Sequence, residues 1–281
     1  MQTVGFIGAG KVACTMGKYL SERDIRVAGY YDTSEASADD AATFTNSRAF
    51  TNESDVIAAS DVIFIATPDD VIVTVWNKIR TMDIRDKFIG IFSGSLSSNL
   101  FSGIETTGAA GFSIHPMFAF SDRFSDYREL HNTKFAIEGD ARAVGLIRAL
   151  FEGLGHTVTE IDSDQKYRYH AAASVASNLM VGLYEMSLSM LMDCGFSESE
   201  AGAFLTPIVQ KNTSAMLSAG PVNALTGPIE RGDVETVKHH LETLSEEEKA
   251  VYTPLALRLV EIARKKNPGR DYEQMERILK G

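Results

Sequence analysis

Thr3-Val4-Gly5-Phe6-Ile7-Gly8-Ala9-Gly10-Lys11-Val12-Ala13 is the stretch that decides the fold. Thr3–Ile7 is a short β-branched and aromatic run, the pattern of a strand. It ends in a G-x-G-x-x-A, Gly8 to Ala13, and a helical pattern follows over Lys11–Ser21. In such a loop the first glycine permits a tight turn and the second lets the backbone approach a pyrophosphate. The small Ala13 lets helix and strand pack closely. The helix N-terminus then offers free N–H groups and a partial positive charge. A second strand, Arg26–Tyr31, ends at Asp32, roughly twenty residues on, which completes the context a dinucleotide site requires. Gly8, Ala9, Gly10, Lys11 and Val12 are therefore assigned to a pyrophosphate, and Asp32, Thr33 and Ser34 to the adenosine ribose. Asp32 favours NAD(H), because a carboxylate there accepts from the ribose hydroxyls and repels a 2′-phosphate. No arginine stands at Thr33, Ser34, Glu35 or Ala36 to offset it.

Outward from this loop, further strands are expected at Val62–Ala66, Phe88–Phe92, Gly111–Ile114, Lys134–Ile137 and Thr157–Ile161. Helical patterns lie between several of them, as at Asp70–Thr81 and Ala141–Leu154. Strands apolar on both faces, alternating with helices, predict an α/β fold: a doubly wound parallel Rossmann sheet. Three more loops fall at carboxyl ends of strands, where open α/β sheets bind ligands. They carry Thr67-Pro68-Asp69-Asp70, Ser93-Gly94-Ser95 and His115-Pro116-Met117. Thr67, Pro68, Ser93, Gly94 and His115 are assigned to the dinucleotide and Ser95 to the substrate. Asp69 or Asp70 is expected to cap the helix that follows.

After Ile161 the texture changes to long amphipathic helices, about Ser163–Cys194, Ser197–Ser218, Val234–Leu244, Pro254–Lys266 and Tyr272–Leu279. The expected domains are 1–162, binding a dinucleotide, and 163–281, all helical, for substrate and dimerisation. Glu246-Glu247-Glu248 is read as the solvated start of a helix. Lys166, His170, Ser174 and Asn178 recur every fourth residue, so one continuous helix sets them in a row of roughly 18 Å at ~1.5 Å per residue. A single small substrate reaches only two neighbours of that row. Hydride delivery to a carbonyl needs a proton donor and a hydrogen-bond partner, and a desolvated lysine beside a histidine supplies both. Thr226 and Arg231 lie in the loop Leu225–Asp233; Arg231 can clamp a carboxylate, and Asp233 reads as the next N-cap.

The formal charge of −11 over 281 residues argues against a nucleic-acid partner, while a small anionic substrate needs only a local cation. Cys14 and Cys194 are in no metal-ligand spacing, so no metal is expected, and Cys14 reads as a small core residue. No secretory signal is visible, and the longest apolar runs fall short of the ~20 residues of a membrane span. A cytoplasmic protein is expected. Met180, Met186, Met190 and Met192 are read as core or dimer interface, and helices this apolar point to a homodimer.

Gly8–Ala13, Ala66-Thr67-Pro68-Asp69-Asp70, Ser93-Gly94-Ser95, His115-Pro116-Met117, Lys166 with Tyr169-His170-Ala171-Ala172-Ala173, Asn178, Leu225-Thr226-Gly227-Pro228 and Arg231-Gly232-Asp233 together resemble, in order and spacing, a known family. It comprises Rossmann-like proteins with a DUF2520 C-terminal domain, within the superfamily of 6-phosphogluconate dehydrogenase, pyrroline-5-carboxylate reductase and ketopantoate reductase. The resemblance implies an NAD(P)-dependent oxidoreductase. The first substrate it suggests is 2-dehydropantoate (ketopantoate), reduced to pantoate for coenzyme A synthesis. A cyclic imine or a deazaflavin is the alternative, and a non-catalytic dinucleotide sensor comes third. In the broader superfamily a lysine and an asparagine four residues later act on substrate; Lys166 and His170 match that pair, with His in place of Asn. The family often has Ser-Arg after strand two and uses NADP(H), whereas Asp32-Thr33 stands here.

Overall fold

The computed structural model describes residues 2–281. Two compact units divide at Ala176 and Ser177. The first opens with β1 (Val4–Ile7), α1 (Lys11–Ser21), β2 (Val27–Tyr31), α2 (Glu35–Thr45), β3 (Arg48–Ala49), α3 (Glu53–Ala58), β4 (Val62–Ile65), α4 (Asp69–Ile79) and β5 (Phe88–Ile91). It continues through β6 (Ala110–Pro116), β7 (Lys134–Gly139), α5 (Ala141–Gly153), β8 (Thr157–Glu160) and α6 (Lys166–Ala176). Among the described residues its eight strands form one sheet in the order β3-β2-β1-β4-β5-β6-β7-β8. β4, at the centre, is fully buried, because helices cover both faces. One face packs against α1, α2 and α5 through Cys14, Leu20, Ala41 and Phe151, and the other against α3 and α4 through Val56, Ile72 and Trp76. Cys14 is a buried core residue, as expected.

The sheet departs from the all-parallel expectation at one pair. β6 and β7 are antiparallel, with Ser113 opposite Glu138 and His115 opposite Ala136. The reason lies in the connection, residues 117–133, which holds short 3₁₀ turns and no α-helix. Without a crossover helix the chain returns along the strand it has just left. α5 then restores a parallel β7–β8 pair.

The second unit holds α7 (Asn178–Asp193), α8 (Glu198–Ala224), α9 (Pro228–Arg231), α10 (Val234–Thr243), α11 (Glu246–Lys266) and α12 (Glu273–Lys280). Its core gathers Ile229, Val237, Val260, Tyr272, Met275 and Leu279. α11 starts at the acidic run Glu246-Glu247-Glu248, as that run was read, and continues through Pro254, where a separate helix was expected to begin. Ser245 and Glu248 form a reciprocal capping box, and Ala256, Val260 and Ala263 bury one face. These contacts hold the helix across the proline's missing donor.

The helix expected to run unbroken from Ser163 to Cys194 is interrupted. A 3₁₀ turn at Ser163–Gln165 precedes α6, and Ser177 leaves helical geometry at φ −125 and ψ −80. Its hydroxyl bonds the Asn178 side chain. Lys166 and Asn178 therefore do not share one helical row. The whole stretch Ser163–Asp193 is nevertheless long and apolar enough, by length and composition, to cross a membrane, which the sequence reading of apolar runs did not anticipate.

Candidate active site

Around the glycine loop the backbone is shaped for a ligand. Gly8 sits at φ +105, and a Cβ there would lie 2.6 Å from the Ala66 carbonyl oxygen, so only glycine lets β1 turn this tightly against the end of β4. Beside Gly10, by contrast, nothing lies within 4 Å of the position a Cβ would take. The first turn of α1 has no side-chain cap and no acidic residue. Asp32 accepts from the Ala9 N–H at 2.8 Å and from the Ser34 N–H at 2.9 Å, tying the loop to the start of α2. Ser34 itself caps α2, and Thr33 is exposed. At the end of β4, the Thr67 hydroxyl is buried with no partner, beside Pro68. Uncapped donors, open backbone and an orphaned hydroxyl fit a dinucleotide.

Across the carboxyl ends of β5 and β6 lies a polar centre. Lys166, at 1% exposure, opens α6 and donates to the Ser93 carbonyl at 2.7 Å and to the Ser113 hydroxyl at 2.8 Å. Burial holds its ammonium down to about 8, partly offset by the Glu138 and Asp69 carboxylates. One turn further, Tyr169 bonds His115 Nδ1 at 2.9 Å. Burial, then Lys166 and His170, lower His115 to about 4, so its imidazole is neutral at working pH. Burial raises Tyr169 to about 12, so it keeps its proton. Gly94 lies between the two histidines: a Cβ there would come within 2.4 Å of His170 Nδ1 and 2.9 Å of His115 Nε2. His170 Nδ1 is buried without a partner.

The structure thus gathers Lys166, His170, His115, Ser93 and Gly94 around one loop. Ser95 is committed to Asp69, which takes both the Ser93 hydroxyl at 2.8 Å and the Ser95 hydroxyl at 3.1 Å. Asp69 serves that loop, and no side chain caps α4. Ser174 is half-buried on α6, while Asn178, Thr226 and Arg231 belong to the second unit. Arg231 is exposed and ends α9; Asp233 caps α10 as expected. Sequence reasoning passed over Ser113 and Glu138, and it gave Tyr169 and Asp69 no part in the site, Tyr169 entering only within a motif and Asp69 only as a helix cap. Ser113 and Glu138 carried a signal, since each is a polar residue inside an apolar strand. Glu138 is buried and accepts from the Ser98 N–H and hydroxyl, both at 2.8 Å.

Residues 1–116 match the model of a Rossmann-like domain, and residues 133–259 match DUF2520, a domain of unknown function. Against curated protein sequences the chain has no match. Among solved structures it is similar to protein TM1727 from Thermotoga maritima, at 25% identity and TM-score 0.75 over 94% of this chain and 99% of that one. A Bacteroides fragilis protein described as an NADP oxidoreductase follows at 21% identity and TM-score 0.69 (95% and 98% covered). The 1-pyrroline-5-carboxylate reductase of Streptococcus pyogenes superposes at 14% identity and TM-score 0.64 (95% and 98%). At such identities the likeness is one of fold.

Gly94→Ala is expected to cut turnover about a hundredfold, because both imidazoles must swing away from the loop and misplacement on that scale is costly. The unfolding midpoint should stay within a few degrees, since only side-chain ends have to yield. Steady-state rates with thermal melts check this, and an alanine variant with full activity would show that the rings do not work at Gly94.

Proposed function

We propose that the chain, which joins a match to a Rossmann-like domain over residues 1–116 to a match to DUF2520 over residues 133–259, is a nicotinamide-dependent reductase of a small 2-oxo acid, ketopantoate first. The observation that carries this reading is the buried Lys166, held to about 8, packed with two imidazoles around the Ser93–Gly94 loop at the carboxyl ends of parallel strands. Reducing a carbonyl builds an alkoxide, which needs positive charge and a proton. An iminium carries its proton already and has no such need. Gly8, Ala9, Gly10, Lys11 and Val12 would hold the pyrophosphate, Asp32 the adenosine ribose and Thr67 a polar group nearby. When bound, the reduced nicotinamide supplies a hydride. Lys166 supplies the proton and the positive field, and His170 orients the reacting oxygen. Reduction of a cyclic imine is the second reading, favoured by the fold shared with the Streptococcus pyogenes enzyme.

The exposed face of α7 and α8 supports a homodimer. No residue of α7 is buried, and Val181, Phe204 and Leu217 are exposed at 69%, 66% and 78%. Large apolar side chains exposed on two packed helices in this way favour an interface. A second copy suits it better than lipid, because the apolar stretch breaks at Ser177 and carries Lys166, Arg168 and Glu185. Light scattering at micromolar concentration should give twice 30.7 kDa, and a species of 30.7 kDa would refute the dimer.

Ketopantoate should be reduced to pantoate, in a panel that includes other 2-oxo acids and pyrroline-5-carboxylate. Turnover of the imine alone would replace the carbonyl reading with the second one. Lys166 is the charged acid below about pH 8 and neutral above it, so the rate should be lost as pH rises through that value. Lys166→Ala should lower turnover by about a hundredfold or more while nucleotide binding persists. A wild-type profile that stays flat well above pH 8 would mean that the lysine proton is not used.

NADH should be preferred over NADPH. The Asp32 carboxylate is fixed at the end of β2 by two backbone N–H groups. A 2′-phosphate brought within ~4 Å of it meets about 1 kcal/mol of repulsion in water and several times that when partly buried. Arg123, a cation on the flank of α2, is committed to the Ser37 carbonyl and to Asp40, which leaves the exposed Lys11 and Arg48 as the cations that would have to offset that repulsion. Steady-state kinetics with both nucleotides decide the matter, and a tenfold preference for NADPH would overturn this assignment.

A further inference from the structure

Two ring nitrogens near Gly94 have no protein partner and approach the same point. His170 Nδ1 is buried and unpaired, and His115 Nε2 makes no hydrogen bond among the described residues. Each lies within 3 Å of the position a Cβ on Gly94 would occupy. One small atom beside that glycine can therefore reach both. Their rings stand perpendicular, with centroids 5.9 Å apart, so they approach it from different directions.

We propose that His115 Nε2–H and His170 Nδ1–H form a two-donor seat for the reacting oxygen of the substrate, and that Tyr169 is the positioning residue that gives His115 the tautomer the seat needs. The proposal rests on the reductase reading and adds His115 and Tyr169 to it. The tautomer follows from the single contact between phenol and imidazole. A phenol O–H is the stronger donor of the two, and a neutral imidazole nitrogen is the better acceptor. No second acceptor for the Tyr169 hydroxyl exists among the described residues, so a bond in the opposite sense would strand its proton in a half-buried position. The hydroxyl therefore donates to Nδ1, and the imidazole proton resides on Nε2, facing Gly94. A glycine at this position is required, because a side chain would fill the seat. As charge grows on the oxygen, two preoriented donors stabilise it more than they stabilise the starting carbonyl, which is how such seats accelerate a reaction.

The test uses the full chain labelled with ¹⁵N-histidine. In the wild type, two-bond ¹⁵N–¹H correlation should place the His115 proton on Nε2. Tyr169→Phe should give a mixture of tautomers, an unchanged melting curve and a kcat about tenfold lower, with KM within about threefold. A His115 proton on Nδ1 in the wild type overturns the proposal, as does Tyr169→Phe with the tautomer and turnover intact. Oxamate, a 2-oxo acid isostere that is not reduced, tests the seat separately in the presence of NAD⁺. It should shift both ring nitrogens in the wild type and neither in Gly94→Ala. If the wild type reduces no oxo acid, the reductase reading fails and the oxamate titration still judges the seat: shifts of both nitrogens support it, and their absence rejects it.

Discussion

The buried ammonium of Lys166 is the constraint on which the rest of the site depends. Removing a charge from water costs several kcal/mol unless hydrogen bonds and opposite charge offset it. Here the Ser93 carbonyl and the Ser113 hydroxyl take two of its three protons, and the Glu138 and Asp69 carboxylates lie close enough to favour the charged form. Those partners come from the end of β5, the middle of β6, the end of β7 and the start of α4. One cation thereby fixes the place of four elements and the first turn of α6. The Ser93–Ser98 segment is held as strictly. The Ser93 hydroxyl donates to Asp69 and accepts from the Leu96 N–H, and Ser98 is bound to Glu138. Gly94 is presented by a loop that cannot be reshaped without leaving a buried charge unpaired.

The same network separates the titration of neighbouring groups. Burial pushes Lys166 and His115 both downward, yet they end at about 8 and about 4. Lysine keeps its proton at neutral pH, and its charge helps to keep the nearby imidazole neutral. Two bases in one site are thus given different protonation states, the arrangement that lets one group serve as acid and another as a neutral hydrogen-bond donor.

Much of this was legible in the chain. The glycine loop, the alternation of doubly apolar strands with helices and the acid after β2 have local causes, so the Rossmann unit could be read from Thr3–Ala13 outward. Lys166, His170, His115 and Gly94 were each singled out, yet from three separate stretches. What joins them is tertiary, namely which faces of β6 and α6 meet. Tyr169 was part of a recognised motif but received no role, because nothing local marks a tyrosine that will meet a histidine fifty-four residues away. The break at Ser177 escaped because a lone serine inside a helical pattern carries little weight. The continuity of α11 was missed because Pro254 looked like a boundary after the helix start read at Glu246–Glu248, whereas the capping box at Ser245 and the buried face of the helix outweigh one lost donor.

The reversal of β7 governs where α6 travels. Had β7 and β8 run with the rest of the sheet, the chain would leave β8 at the ligand-binding rim and the next helix would carry its side chains away from it. Because they descend, the chain leaves from the opposite rim and α6 climbs back alongside β6. Helix and strand then act as two rulers of different pitch laid together. Three residues of helix advance roughly 4.5 Å, and two residues of strand roughly 6.6 Å. The two advances differ by about 2 Å, a gap that the lysine and tyrosine side chains span, so Lys166 meets Ser113 and, a turn later, Tyr169 meets His115. Inserting or deleting a single residue between Lys166 and Tyr169 would rotate the upper contact about 100° around the helix while leaving the lower one in place. The spacing of these two residues is therefore a length constraint on the chain, independent of what any side chain there does chemically.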